Sequence, residues 1–478
     1  MLITSGAGPG LDPDAMSYVG AATSFAQHGT LRVPSNSWDE DDSTAALSVW
    51  PPGYSIAMAI PQKLGASRYL SARIVMAAAA FVSATTLFVL LEDAAGPWAA
   101  AAGVTGIFAT PAINGVHLSV LSEPLFLACL AITLLAMVRR PRRPFVAGAA
   151  AAAAAMVRYA GFCAPAAVVL WFFFSSNKSL RDRLTDSAKA ASIPAIVIAA
   201  WVLRNKLLPD AQSGMEFSVY GHFLGTFRQG LSTIADWLAP GLEDRTLRAV
   251  STIAMCCAII VAGARALPTI RAREKPVQLL RADLLLLSCY VVTLLAARLF
   301  VGDAIPFDFR ILSPAIFLAE IAIIVCVAGF VSRAGRLMQV ATATIATLWL
   351  AGSVFVSSQN AIEAITDGSD FASSDWRTSP TVAWVNSHSD GHAIFSNWPA
   401  AIYFRTHRIA RDIPQSLDTA DMHEFADIMR EQNGVFVAFS SRNTDYPPSD
   451  SIAREAGLVQ AGQFPDGKLW IAPPQSAR

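Results

Sequence analysis

The sequence predicts an all-α polytopic membrane protein of about ten transmembrane helices, followed by a small C-terminal α/β domain on the extracytoplasmic side. Three observations carry this. Of 478 residues, 54% are hydrophobic and only 15% charged, with a mean hydropathy of +0.43, whereas soluble domains carry about 25% charge. The apolar residues arrive in long blocks. Basic residues recur in alternate connections between those blocks. Too few ionised groups are present to cover a globular surface, which excludes a soluble enzyme or a disordered chain. A nucleic-acid binder is disfavoured, because 36 Lys and Arg balance 36 Asp and Glu and no basic arm is visible.

Crossing a hydrocarbon core takes roughly 20 apolar residues. Such runs lie at Tyr69–Leu91, Trp98–Ile113, His117–Val138, Phe145–Phe174, Ala188–Leu203, Leu247–Gly263, Leu280–Val301, Ile311–Val331 and Leu337–Ser357. The fourth run would make a helix of about 45 Å, and Arg158, Gly161 and Pro165 interrupt it. It divides into two short spans meeting near Arg158. The Ala-rich stretch Ala147–Ala155 within it points to close helix packing.

Orientation follows the basic residues. The connections holding Arg139, Arg140, Arg142 and Arg143, then Lys178, Arg181, Arg183 and Lys189, then Arg265, Arg271, Arg273 and Lys275, and finally Arg333 and Arg336, fall on alternate turns. These are the cytoplasmic turns. Met1–Arg68, Pro111–Val116, Asn205–Arg245, Gly302–Arg310 and everything after Ser358 then face outward. The expected organisation is a first extracytoplasmic segment over 1–68, a membrane domain over 69–357 and an extracytoplasmic α/β domain over 358–478. The protein is expected in the cell membrane as a multi-pass protein in contact with the lipid bilayer. Met1 opens directly onto a polar segment without a signal peptide, so an anchoring helix is expected ahead of it. The tail holds 9 basic and 15 acidic residues. Its short β-like runs Ala393–Ser396 and Gly434–Ser440 flank a helical stretch, Thr419–Gln432. All six cysteines lie in apolar runs, so no structural disulfide is expected in the outer segments.

In the first outer segment, Asp12, Asp14 and Tyr18 are followed by Asp39, Glu40, Asp41 and Asp42. Asp14 and Tyr18 stand four apart, on one helical face, and Ala15, Val19, Ala22, Phe25 and Ala26 give that helix an apolar side suited to a membrane surface. A carboxylate at the rim of a lipid-walled cavity can accept a proton from an acceptor hydroxyl. Asp12 or Asp14 reads equally well as a helix cap. Trp50-Pro51-Pro52-Gly53-Tyr54 is a turn with prolines set at a helix start. Glu123, in Ser122-Glu123-Pro124-Leu125-Phe126, sits about a turn inside a span at its outer end. An ionisable residue there is a functional candidate by default, the alternative being a helix-start carboxylate satisfied by neighbouring amides.

Arg158 stands at the outward break of the split run, where a broken helix usually lines a cavity. Arg310 follows Asp303 and Asp308 at the mouth of a late span. Guanidinium groups at this level suit phosphate oxygens; a pair with Asp308 or a headgroup contact serves Arg310 equally well. Arg298 reads as a snorkelling residue, and His388, His392 and His407 as surface residues. No CxxC or HExxH spacing appears. The acidic first segment offers ligands to a divalent metal ion, but no spacing requires that cofactor, and no other is indicated.

The order of these features resembles that of the C-type (GT-C) membrane glycosyltransferases, the group that includes the lipid A aminoarabinose transferases and the protein O-mannosyltransferases. An Asp-x-x-x-Tyr segment precedes Pro-Pro-Gly-Tyr. Ser-Glu-Pro-Leu-Phe opens a span, Arg-Tyr-Ala-Gly lies inside the split run, and Asp-Phe-Arg-Ile-Leu-Ser-Pro opens a late span. The tail adds Phe395-Ser396-Asn397-Trp398-Pro399 and Tyr403-Phe404-Arg405-Thr406. Each motif is short, so the likeness rests on their order along one topology. It implies transfer of a sugar from a polyprenyl-phosphate donor to a hydroxyl of a lipid, glycan or protein acceptor on the outer face. Asp14 would be the general base, with Asp12 as its substitute. Glu123 would organise the acceptor side, and Tyr18, Tyr54, Arg158 and Arg310 would bind substrate. The sequence leaves two rivals. One is a transporter or flippase of a lipid-linked or small polar substrate, although no internal repeat is evident. The other is a non-catalytic membrane scaffold.

Overall fold

The computed structural model describes residues 6–35, 37–39, 44–141, 143–174, 178–208, 224–302, 305–388, 391–441 and 443–473. Glu40, Asp41, Asp42, Arg142 and Asp303 lie outside the described residues. The chain forms two compact units. One is Ser48–Glu363; the other joins Leu2–Leu47 to Ala364–Arg478. The first segment thus groups with the tail up to Leu47.

The Leu2–Leu47 part of the second unit supplies α1 (Pro13–His28) and a small ladder of β1 (Arg32–Pro34) with β2 (Thr44–Ala46). The Ser48–Glu363 unit is helical. It contains α2 (Gly53–Lys63), α3 (Arg68–Ala95), α4 (Pro97–Ala109), α5 (Pro111–Val116), α6 (Glu123–Val138), α7 (Pro144–Val157), α8 (Cys163–Phe173), α9 (Leu180–Leu207), α10 (Leu224–Leu238), α11 (Arg245–Arg271), α12 (Glu274–Phe300), α13 (Phe309–Val331) and α14 (Arg336–Thr366). By length and composition α3, α9, α11, α12, α13 and α14 can each cross a membrane. Four shorter apolar segments accompany them: α4, α6, α7, and α8 with the 3₁₀ turn before it. The protein is a multi-pass membrane protein.

Proline chemistry sets several boundaries. The run Trp98–Ile113 breaks between α4 and α5, because Pro111 disfavours helix at the residue before it. Pro124 lies in the first turn of α6. Its ring would clash with a preceding turn, so the helix cannot begin much earlier. Glu123 is therefore the first helical residue, not one a turn inside a span. Residues 117–122 form an irregular turn ahead of it.

The long run divides where the sequence indicates. α7 stops at Val157, Arg158 is extended (φ −148°, ψ 146°), and a 3₁₀ turn, Tyr159–Phe162, leads into α8. The turn is tight: a Cβ on Gly161 would lie 2.2 Å from the carbonyl oxygen of Ala154. In α7, Ala147, Ala151, Ala152, Ala154 and Ala155 are buried, and α7 packs closely on α8 and α9. The core gathers α3, α6, α7, α8, α12 and α13 around Phe126, Phe172, Leu286, Tyr290 and Phe317. α11 keeps the apolar window that would cross a membrane exposed, as suits a helix facing lipid.

The bundle has two chemically different ends. At one, Lys275 of α12 pairs with Asp93 of α3 at 2.5 Å, and Arg140, after α6, pairs with Glu274. At the other lie the starts of α6 and α13 and the break after α7. Two of the basic connections therefore meet at one end.

In the second unit the tail adds α15 (Ser374–Arg377), α16 (Pro380–His388), β3 (Ile394–Ser396), α17 (Pro399–Thr406), α18 (Thr419–Glu431), β4 (Val435–Phe439), α19 (Ser449–Glu455), β5 (Val459–Phe464) and β6 (Gly467–Ile471). The sheet runs β3-β4-β6-β5, with β3 and β4 parallel and the other pairs antiparallel. β4 is apolar throughout because both of its faces are covered. Phe436 and Ala438 join the cluster of Phe395, Phe425 and Ile452, while Val435, Val437 and Phe439 join Val385 and Ile402. This alternation is the two-residue period of a strand. α1 packs against β1 and α17, and Trp38 meets Phe425 edge-on at 5.9 Å.

Candidate active site

At the end of the bundle away from Lys275, three ionised side chains converge. Glu123 opens α6 with a fully buried side chain. Arg158, extended at the α7 break, brings Nη1 within 2.7 Å of Glu123 Oε1 and donates to Ser122 Oγ at 3.0 Å. Arg310, in the first turn of α13, donates from Nε to the same Glu123 oxygen at 3.3 Å. One carboxylate thus holds two guanidinium groups that lie far apart along the chain, leaving the trio with a net positive charge. The two arginine side chains are 12% and 20% exposed, so they keep limited access to solvent or ligand. Glu123 Oε2 is buried and has no hydrogen-bond partner among the described residues. A buried polar atom left unpaired is costly, and one beside two cations suits a ligand's hydroxyl.

Surrounding groups fix this geometry. Asp308 caps α13 by accepting from Ile311 N at 2.9 Å. Tyr290 of α12, buried beside Phe126, donates to the Ile311 carbonyl at 2.6 Å. The turn after Arg158 is held by Tyr159, which donates to the Ser48 carbonyl at 2.9 Å and accepts from Trp201 Nε1 at 3.1 Å. Tyr54 lies fully buried in the first turn of α2. Beside it, a Cβ on Gly53 would stand 2.5 Å from the Met156 carbonyl of α7, so only glycine allows the start of α2 so near the break.

No protein-family model and no curated protein matches the sequence. Solved structures do. ArnT from Cupriavidus metallidurans bound to undecaprenyl phosphate aligns with a TM-score of 0.58 and 11% identity over 99% of this chain and 96% of that one. The apo state of the same protein gives 0.60 at 11% identity over the same shares. An Archaeoglobus fulgidus oligosaccharyltransferase, in complex with zinc and sulfate, aligns at 0.50 and 13% identity over 91% of this chain and 64% of its own. The fold is the C-type glycosyltransferase fold. The resemblance read from the order of motifs therefore holds at the level of architecture.

The expected site residues divide between the two units. Glu123, Arg158 and Arg310 meet within the Ser48–Glu363 unit, and Tyr54 belongs to that unit as well. Asp12, Asp14 and Tyr18 belong to the other. There Asp12 is the N-cap of α1, accepting from Asp14 N at 3.1 Å. The capping alternative thus describes Asp12, while Asp14 follows in the first turn. Tyr18 is buried.

Arg298 departs from expectation. It is 1% exposed and does not snorkel; its Nε and Nη2 both lie 3.2 Å from Thr226 Oγ1 on α10. Three further residues escaped the sequence reading. Tyr290 carries no motif. Glu320 of α13 is buried, its Oε1 accepting from Thr110 Oγ1 at 2.5 Å and Trp237 Nε1 at 2.8 Å. Asp283 of α12 is buried, with neither oxygen partnered among the described residues. Both acids stand inside apolar runs, where the rule that intramembrane ionisable groups are functional candidates flags them. Among the described residues no group of three or more His, Cys, Asp or Glu side chains is placed to hold a metal ion.

Proposed function

We propose that this chain is a membrane glycosyltransferase that moves a sugar from a polyprenyl-phosphate donor to an acceptor hydroxyl at the extracytoplasmic face. The observation that carries the reading is the buried Glu123–Arg158–Arg310 trio, set in a fold similar to that of an ArnT bound to undecaprenyl phosphate. A polyprenyl-phosphate sugar is a phosphodiester with a single negative charge, and the trio offers a net positive charge of matching size. The isoprenoid lies along the apolar helices, and the acceptor is a lipid, glycan or protein hydroxyl.

In this scheme the acceptor oxygen attacks the anomeric carbon, the bond from that carbon to the phosphate oxygen breaks, and the electron pair leaves with the polyprenyl phosphate. Arg158 and Arg310 donate to that phosphate as its charge grows. Preorganised donors of this kind supply the largest single contribution in many enzymes. Asp14 takes the proton from the acceptor hydroxyl as general base, with Asp12 in reserve. Glu123 keeps the arginines aligned and presents Oε2 to the acceptor side, and Tyr18 and Tyr54 border the substrates. We infer ten crossings, six from the long helices and four from the shorter apolar ones. The basic connections then face the cytoplasm, and the arginine-bearing end and the tail face outward.

The test is an assay of the purified full-length protein with radiolabelled undecaprenyl-phosphate hexoses and pentoses, wild type beside Asp14→Asn. Transfer by the wild type, reduced about 10²–10⁴-fold in the variant, supports the proposal. Absence of any new glycosidic bond, together with substrate movement across proteoliposomes, overturns it in favour of transport.

A further inference from the structure

We propose that a cavity of about 400 Å³ between α5, α10, α13 and α14 is a subsite for a carbohydrate ring, with the indole of Trp237 as its platform. The inference rests on the glycosyltransferase reading and gives the sugar a place. Its walls combine Trp237 and Phe309 with polar groups from three elements: Thr233 and Asp236 of α10, Asp308 at the start of α13, and Asn360 of α14. A pyranose or furanose presents an apolar C–H face and a ring of hydroxyls. It therefore asks for one flat aromatic wall and a few convergent carboxylate and amide groups, within the size range of ligand pockets.

The platform is fixed before any ligand arrives. Trp237 Nε1 donates to Glu320 Oε1 at 2.8 Å, and its carbonyl accepts from Trp349 Nε1 at 3.0 Å. Thr110 Oγ1 donates to the same Glu320 oxygen at 2.5 Å. A carboxylate buried among apolar helices is unfavourable unless it performs a task, and here it locks an indole against α13. α10 is held from a second side, since Thr233 Oγ1 donates to the Phe307 carbonyl at 3.0 Å. Such prior ordering lowers the entropic cost of binding.

Charge decides which part of a sugar phosphate enters. Asp236 pairs with Arg248 at 2.5 Å, and Asp308 spends one oxygen on the α13 cap, so the cavity offers no surplus of positive charge to a phosphate. The guanidinium groups of the trio begin at Arg310, two residues beyond Asp308 on the same helix. Phosphate at the arginines and a neutral or cationic ring in the cavity is the arrangement this distribution favours. The Asn360 side chain makes no hydrogen bond to another described residue, which leaves its amide for ring hydroxyls. Both a donor sugar and an acceptor glycan carry this chemistry.

The test measures binding by the full-length protein in nanodiscs. The probes are undecaprenyl phosphate, undecaprenyl phosphate bearing a hexose or a pentose, and free methyl hexosides followed by saturation-transfer NMR. Trp237→Ala and Asn360→Ala are expected to weaken the sugar-bearing lipid about 10- to 100-fold while bare undecaprenyl phosphate stays within about twofold. Glu320→Gln, whose amide oxygen still accepts from the indole, stays near wild type, whereas Glu320→Leu follows Trp237→Ala. Loss of the methyl hexoside signal alone in these variants assigns the cavity to the acceptor ring and supports the subsite. An equal loss for both lipids, or no loss for any probe, overturns it. Wild type that binds methyl hexosides through Trp237 but no sugar-bearing lipid removes the donor reading and keeps the subsite; wild type that binds no probe removes both.

Discussion

Replacing Glu123 with leucine removes the carboxylate that Arg158 and Arg310 share. Arg158 at 2.7 Å and Arg310 at 3.3 Å share its Oε1, and the carboxylate itself is fully buried. Removing one partner from a buried ion pair costs about 3–5 kcal/mol, because the desolvated charge left behind has no compensation. The residual exposure of the arginines, 12% and 20%, lets water replace part of what is lost, which places the expected cost near 3 kcal/mol, about two decades in the folded-to-unfolded ratio. Reversible unfolding in mixed bicelles, followed by circular dichroism, reads this directly. The decisive control adds Arg158→Met and Arg310→Met to Glu123→Leu. With all three charges removed together, the apolar replacement is expected to recover to within about 1 kcal/mol of wild type while transferase activity stays absent. A triple variant as unstable as the single one would refute the reasoning, since the loss would then belong to packing and not to stranded charge.

Arg158→Lys keeps the charge but replaces the planar guanidinium, whose Nη1 reaches both Glu123 and Ser122, with a single ammonium that has no further fixed donors for a phosphate. Under the proposed function, kcat/KM for lipid-linked sugar is therefore expected to fall about tenfold or more with the thermal midpoint nearly unchanged. Gly161→Ala forces a Cβ against the Ala154 carbonyl and is expected to destabilise by about 1–3 kcal/mol, read as a lowered unfolding midpoint in detergent. In the tail, burial and then the neighbouring Asp412 carboxylate raise the Tyr446 phenol above its ordinary range. The unfolded chain therefore ionises this phenol first, and the stability that the neutral form contributes is present below about pH 10 and lost above it. Near-UV denaturation of wild type and Tyr446→Phe between neutral pH and about pH 11 checks this: the difference between them should move against wild type as pH rises.

Much of the bundle was legible because bilayer chemistry writes itself into local sequence. Apolar runs, the interruption at Arg158 and the basic connections depend on neighbours along the chain, and α7, α8 and the bundle ends follow them. Glu123 was found by its type but misplaced by a turn, because an apolar stretch from His117 hid the stop that Pro124 imposes. α10 escaped inside a segment read as a loop, although Leu224, Phe227, Leu231, Ile234 and Leu238 recur at helical spacing and the first four stay exposed along one stripe. Missing α10 also misplaced Arg298, whose partner, Thr226, lies there. Glu320 and Asp283 were hidden by the hydrophobicity of their own helices. That the segment ending at Leu47 joins the tail was unreadable in principle, since the Leu11 and Phe371 backbones meet through contacts no local pattern encodes.

That last arrangement dictates an order of assembly. α1 and β1 are made first, yet β3, α17 and the other strands of the tail follow only after about 360 further residues, roughly 18–72 s at typical rates of synthesis. For that interval α1 has β1 beside it but not α17, its other partner, while the hydrophobic helices between are being inserted. A chain halted before its tail therefore holds α1 and the β1–β2 ladder with no partner from the tail to cover them.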